Sequence, residues 1–204
     1  MTTRLLLIRH AQPEEDARGR CYGRLDVGLS PTGLANAERL AESLRDVELE
    51  AIYVSPRLRA VQTAAALDGV PIVDDRLREL DFGELEGRTY DEIEREQPEL
   101  FRRWMETPTL VRFPGGESYA ELRERVAAAV DDVVAANNGR TVALVSHGGV
   151  IRAALTVALE LADERAFALD VGYARVSVVD WFDGTPVVRL VNGVSADLPA
   201  DLGA

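Results

Sequence analysis

The sequence contains no lysine: all 23 basic residues are arginine, set against 35 acidic residues for a net charge of −12. That balance argues against a general nucleic-acid partner or an acidic membrane surface. There is one cysteine, Cys21, which excludes an internal disulfide and fits a reducing compartment. Histidine occurs only at His10 and His147. Two histidines without short ligand spacing, plus one cysteine, make no recognisable metal set, so neither a metal nor another cofactor is expected. No apolar run approaches the length of a transmembrane helix, and Leu5 to Ile8 is too short for a signal-peptide apolar region. A cytoplasmic location is therefore expected. Codon bias accounts for the missing lysine without reference to function. Even so, arginine carries the rigid fork that matches a phosphate oxygen pair, so the placement of the arginines matters more than their number.

What is present suits one globular domain over residues 1–204, because 47% of 204 residues are hydrophobic and can bury a substantial core. Leu5 to Ile8 and Thr141 to Val145 are short, continuously apolar runs, the pattern of strands buried on both faces. Ala51 to Val54 reads as a further buried strand, and Pro71 to Val73 as a short one. Ser30-Pro31 and Ser55-Pro56 each give a helix-start signal, a serine N-cap followed by proline at the first helical position. The first predicts a helix to about Arg45, with Leu34, Ala37, Leu40, Ala41 and Leu44 on one stripe. The second predicts a helix to about Leu67. Leu77 to Gly87 has no clean period and reads as a structured loop. A helix broken near Pro98 is expected over Tyr90 to Glu106. Ser118 and Glu121 have the spacing of a capping box, opening a helix that Asn137-Asn138-Gly139 closes after Ala136. A helix from Val150 to Leu161 should follow the second apolar run. Val176–Phe182 and Val187–Val191, joined by Asp183 to Pro186, suggest an edge hairpin, and the tail from Ala196 is expected to be loose. Strands alternating with helices give an α/β fold, a mostly parallel sheet with helices on both faces.

Each histidine directly follows a buried apolar run. Ligands of open α/β sheets bind outside the carboxyl ends of such strands, so two distant segments are expected to meet at one site. A single strand-end histidine has an equally good structural explanation; two in matching contexts favour a shared site.

The residues then carry a resemblance. Arg9-His10 after a strand, Ser55-Pro56-Arg57-Leu58-Arg59-Ala60-Val61-Gln62-Thr63-Ala64, Leu77-Arg78-Glu79 with Glu86-Gly87 downstream, and Ser146-His147-Gly148 occur in that order. The chain resembles the histidine phosphatase superfamily, also called phosphoglycerate mutase-like, over about residues 4–152. The resemblance implies a three-layer αβα sandwich. It implies that His10 attacks a small phosphomonoester to give a phosphohistidine, with Arg9, Arg59 and His147 around the phosphoryl group. Glu79 would serve as general acid and then as base for water. Arg57 is expected at the surface, Glu86 is expected to tie down its own loop, and Arg152 is read as a structural ion-pair member. The first loop departs from the family: Ala11 stands for glycine, Pro13 for a hydroxyl residue, and Asp16 for an asparagine that faces the phosphate. A carboxylate there would be repelled, so Asp16 is not given that role.

Within this reading, Gly19 to Asp26 resembles the corresponding loop of α-ribazole phosphatases, which makes Arg20, Tyr22, Gly23 and Arg24 candidate substrate contacts. A phosphoglycerate mutase shares the catalytic set, but such mutases are longer between Glu86-Gly87 and His147. A non-catalytic member that senses a phosphorylated metabolite is the third alternative, and the intact His10, Arg9, Arg59, Glu79 and His147 argue against it. The partner expected is a small phosphorylated metabolite, with no nucleic acid and no membrane, for a monomer or homodimer.

Overall fold

A computed structural model describes residues 1–17 and 19–194. Six strands form one sheet in the order β3-β2-β4-β1-β5-β6. They are β1 (Thr2–Arg9), β2 (Ala51–Val54), β3 (Pro71–Val73), β4 (Thr141–Ser146), β5 (Val176–Phe182) and β6 (Thr185–Gly193). Strands β1 to β4 run parallel, and β5 and β6 are antiparallel additions. The helices are α1 (Pro31–Ser43), α2 (Leu58–Ala64), α3 (Tyr90–Glu96), α4 (Pro98–Glu106), α5 (Tyr119–Ala136) and α6 (Gly148–Ala158).

The continuously apolar strands are explained by burial on both sides, because successive side chains of a strand point to opposite faces. Leu5, Leu7, Val142 and Leu144 join one core with Leu122, Val126 and Val130 of α5 and Val150 and Ile151 of α6. Leu6, Ile8, Ala143 and Val145 join a second core with Leu40 of α1 and Ala60 and Ala64 of α2. The three-layer α/β architecture follows from these two cores. Burying each such leucine or isoleucine contributes about 1.5–3 kcal/mol.

Register positions the site. Ile8 of β1 and Val54 of β2 both pair with Val145 of β4, so three parallel strands end level. The residues that follow, Arg9-His10, Ser55 and Ser146-His147, emerge side by side; the backbone N–H of His10 donates to Ser146 O at 2.8 Å and that of Ser55 to Val145 O at 3.0 Å. Val176 of β5 pairs with Ile8 in the opposite direction, so the segment before β5 reaches the same edge.

Local signals predicted several elements closely. Ser30 caps α1 through Gly33 N–H, and Ser118 and Glu121 form the reciprocal capping box of α5. The helix expected over Tyr90 to Glu106 divides at Pro98. Other expectations are corrected. Ser55 does not cap α2, which begins at Leu58 after Arg57 and has no side-chain cap; the Ser55 hydroxyl is engaged elsewhere. Helix α6 begins two residues early at Gly148 and stops at Ala158. The edge hairpin closes through Asp183 and Gly184 alone, both at positive φ, as a two-residue primed turn requires, which lengthens β6 at both ends. The tail from Ala196 lies outside the described residues. Among the described residues, no helix is long and apolar enough to cross a membrane.

The two faces of α1 give a test. Leu40 is 6% exposed and Leu34, on the same sequence stripe, is 45% exposed. Leu40→Ala should cost about 2–5 kcal/mol through lost burial and a cavity. Leu34→Ala should stay within about 0.5 kcal/mol, and urea unfolding of both variants checks the contrast.

Candidate active site

His10 is 1% exposed and follows β1 directly, while His147 is fully buried at the N-cap of α6. Their rings lie edge to face with centroids 5.1 Å apart. Their matching positions after buried strands predict that these two residues meet, and strand register brings them together.

The hydrogen bonds assign each imidazole a face. His10 Nδ1 lies 2.7 Å from Ala11 O. A carbonyl only accepts, so Nδ1 carries the proton and Nε2 presents a lone pair. Ala11 is itself held by its N–H donating to Thr63 Oγ1, whose hydroxyl donates to Arg59 O. His147 Nε2 lies 2.7 Å from Ser55 Oγ. Ser55 Oγ accepts from Arg57 N–H and has no other acceptor for its own proton among the described residues, so that proton goes to Nε2. His147 Nδ1 then bears a hydrogen, and it is buried without a partner.

Both imidazoles are held well below the ordinary histidine value. Burial is the largest cause for each; for His10 the charges of Arg59 and then Arg9 follow, and for His147 those of Arg59 and its histidine neighbour.

Arg59 is 0% exposed. It touches no carboxylate among the described residues. Its Nη1 donates to Leu25 O and its Nη2 to Tyr22 O and Gly23 O, while Nε has no partner. Arg9 repeats the pattern, with Nη1 donating to Val171 O at 2.6 Å and Nε buried without a partner. Each guanidinium therefore keeps part of its donor edge for an anion. Glu79 lies across the site, accepting from Leu80 N–H and from Gly149 N–H in the first turn of α6. A Cβ on Gly149 would stand 2.4 Å from Glu79 Oε1, so only glycine admits this approach.

The four expected substrate contacts sit between the first loop and the loop carrying Glu86. Arg20 donates to Asp16 O and Gly87 O, and Arg24 pairs with Asp81 and reaches Gly83 O. Gly23 is buried where a Cβ would meet Leu80 O at 1.9 Å, so it serves close backbone packing. Tyr22 alone of the four faces the site. Asp16 is exposed. Glu86 does more than tie its own loop: besides Phe82 N–H it accepts from Arg24 and Leu25 N–H, joining two loops.

Three arginine and tyrosine positions alter the sequence picture. Arg57 is half-buried rather than at the surface, its Nε has no partner, and its charge acts on His147 and Arg59. Arg152 makes no ion pair among the described residues; it donates to Leu169 O, stacks on Phe167 and lies beside Arg9 near Gly148. Helical spacing predicted Arg152 on α6 but not which neighbours α6 would meet. Tyr173 went unnoticed: its ring covers Arg9 at 3.9 Å and packs on His10 at 5.4 Å. No sequence signal marks it, because its place follows from β5 pairing with β1.

Among the described residues, no group of three or more His, Cys, Asp or Glu side chains gathers to hold a metal ion. The chain matches the histidine phosphatase superfamily (branch 1) over residues 5–193. It belongs to that superfamily. This histidine phosphatase chain is 38% identical over 198 residues to a bifunctional protein of Mycobacterium tuberculosis, a match covering 93% of this chain and 54% of the relative. It thus spans about half the length of that relative. It is 34% identical over 193 residues to phosphoserine phosphatase 1 of Hydrogenobacter thermophilus, covering 93% and 92% of the two chains. The solved structure of Bacillus stearothermophilus YhfR superposes with a TM-score of 0.89 at 31% identity, covering 96% of this chain and 100% of that one.

The buried imidazoles predict a pH dependence of stability. Their protonation is suppressed in the folded state, so below the ordinary value of 6.5 the unfolded chain binds more protons. Stability should therefore be lost as pH falls from about 6.5 toward about 5, above the range of ordinary carboxylates. Urea midpoints across that window should fall less in a His10→Gln, His147→Gln double variant than in the native protein.

Proposed function

We propose that this chain hydrolyses a small phosphomonoester through a phosphohistidine at His10, without a metal ion. The observation that carries this reading is the state of His10: a neutral imidazole, its Nδ1 committed to Ala11 O and its Nε2 lone pair free, set beside Arg9, Arg59 and His147. An attacking imidazole must be unprotonated, and burial with two neighbouring guanidiniums keeps it so.

In the first step His10 Nε2 forms a bond to phosphorus as the bond from phosphorus to the ester oxygen breaks. Glu79 gives its proton to that oxygen, and the alcohol departs. In the second step a water oxygen attacks phosphorus, Glu79 takes the proton, and the bond to Nε2 breaks to release phosphate and restore neutral His10. The equatorial oxygens carry negative charge throughout. Fixed donors aimed at them supply the largest share of stabilisation, and here these are the unspent edges of Arg9 and Arg59 and the His147 Nδ1–H. Those guanidiniums supply the positive charge that a metal ion supplies elsewhere. The phosphatase names of relatives matching nearly the whole chain support hydrolysis over transfer between two alcohols. Relatives named as phosphoserine and glucosyl-3-phosphoglycerate phosphatases, with α-ribazole phosphatases among the neighbours in fold, support the class of small phosphomonoesters rather than one member of it.

Hydrolysis of an aryl phosphate in EDTA tests the proposal. The native protein should turn over, and His10→Ala should lose activity by at least about a thousand-fold, as removal of a nucleophile does. Equal rates in both would overturn the role of His10. Gly149→Ala should displace Glu79 and lower kcat by about a hundred-fold, the scale of a misplacement near one ångström. An unchanged kcat in a folded variant would remove Glu79 from the proton-transfer role.

A further inference from the structure

Of the residues proposed to hold the phosphoryl group, His10, Arg59 and His147 are closed off from solvent, at 1%, 0% and 0% exposure, and Arg9 is half-buried. Two tyrosines from separate segments pack on Arg9, His10 and Arg59. Tyr22 comes from the loop after β1 and Tyr173 from the segment before β5, and their hydroxyl oxygens are 2.8 Å apart. The Tyr173 ring lies on Arg9 and against His10, and the Tyr22 ring lies over Arg59 at 4.9 Å. A ring on the face of a guanidinium leaves its edge as the hydrogen-bonding direction. In both arginines that edge includes an Nε without a protein partner. The tyrosines thus fix the plane in which each arginine can meet an anion.

The hydroxyl pair is only half spent. One O–H donates to the other oxygen, and the second O–H has no acceptor among the described residues. Burial pushes the Tyr22 hydroxyl well above its ordinary value, with Tyr173 adding to the effect, so it keeps its proton at working pH. A donor chain of two hydroxyls polarises toward its free end, where an anionic acceptor gains most.

We propose that Tyr22 and Tyr173 act as a hydroxyl clasp over the phosphoryl pocket, binding the substrate directly through the unspent O–H and closing the site above His10. The clasp rests on the reading of this pocket as a phosphoryl site. Because a phosphoryl oxygen accepts this bond in both the bound ester and the transition state, the clasp provides uniform binding, which appears in KM and not in kcat.

Tyr22→Phe and Tyr173→Phe keep both rings and remove one hydroxyl each. Titration with inorganic phosphate, alongside KM, kcat and Tm, reads the effect. The phenylalanine that removes the terminal donor should weaken phosphate binding by about ten-fold and raise KM similarly, the scale of a hydrogen bond to a charged group. Its kcat should change little and Tm should fall no more than in the partner variant. The double variant should bind no worse than the weaker single variant, since removing the terminal donor already silences the chain. Unchanged phosphate affinity in both folded single variants would overturn the clasp, as would losses that simply add. A native protein that binds phosphate, and loses it in Arg59→Ala, keeps the pocket reading even if the clasp fails. A native protein that binds no phosphate overturns both.

Discussion

Burying Arg59 with no carboxylate in contact among the described residues is the constraint on which the rest of the site depends. An unpaired buried charge is strongly unfavourable unless hydrogen bonds satisfy it. Here the carbonyls of Tyr22, Gly23 and Leu25 do so, and in doing so they fix the path of the first loop. The same uncompensated charge disfavours protonation of His10 and His147. One side chain therefore shapes the loop, adds to the burial that disfavours a charged His10, and leaves an Nε edge open.

The second loop is built by the opposite charge. Glu86 accepts backbone N–H groups from Arg24, Leu25 and Phe82, which fastens the loop that carries Glu79 to the loop that satisfies Arg59. Glu117 extends this bracing by pairing with Arg78 and Arg125, and Arg125 donates to the carbonyls of Arg76, Arg78 and Glu79. The position of Glu79 is thus set by backbone contacts on both sides, and by a glycine at 149 that leaves room for its carboxylate. Many of the chain's arginines serve such ion pairs. Arg9, Arg57, Arg59 and Arg152 belong to those that make none among the described residues, and these four lie at or after the carboxyl ends of the parallel strands β1, β2 and β4.

Most of the fold was legible because its signals are local. Strand β2, strand β3 and helix α5 follow from runs of apolar residues, a reciprocal cap and an Asn-Asn-Gly stop, all within a few residues of the element they define. The failures are of another kind. Ser55 carries a sound N-cap signal, yet a partner 92 residues away takes its hydroxyl. Spacing relative to Arg59 predicts an exposed Arg57, but Arg57 precedes α2 and lacks helical spacing altogether. Arg20 and Arg24 lie in a loop that resembles a substrate-binding loop, and the contacts they make with Gly87, Asp81 and Gly83 of the neighbouring loop carry no signal in the sequence.

The sequence by itself determined the class of the fold and the order of its elements, because short-range patterning and ordered motifs carry that information, and its ordered motifs singled out His10, Arg9, Arg59, Glu79 and His147 as candidates. Only the tertiary structure decided which histidine nitrogen faces the pocket, which arginines lack carboxylates, and that Tyr173 joins Tyr22 above His10. Those outcomes depend on strand order and register, which place residues far apart in the chain within hydrogen-bonding distance, and no periodicity along a single chain encodes them.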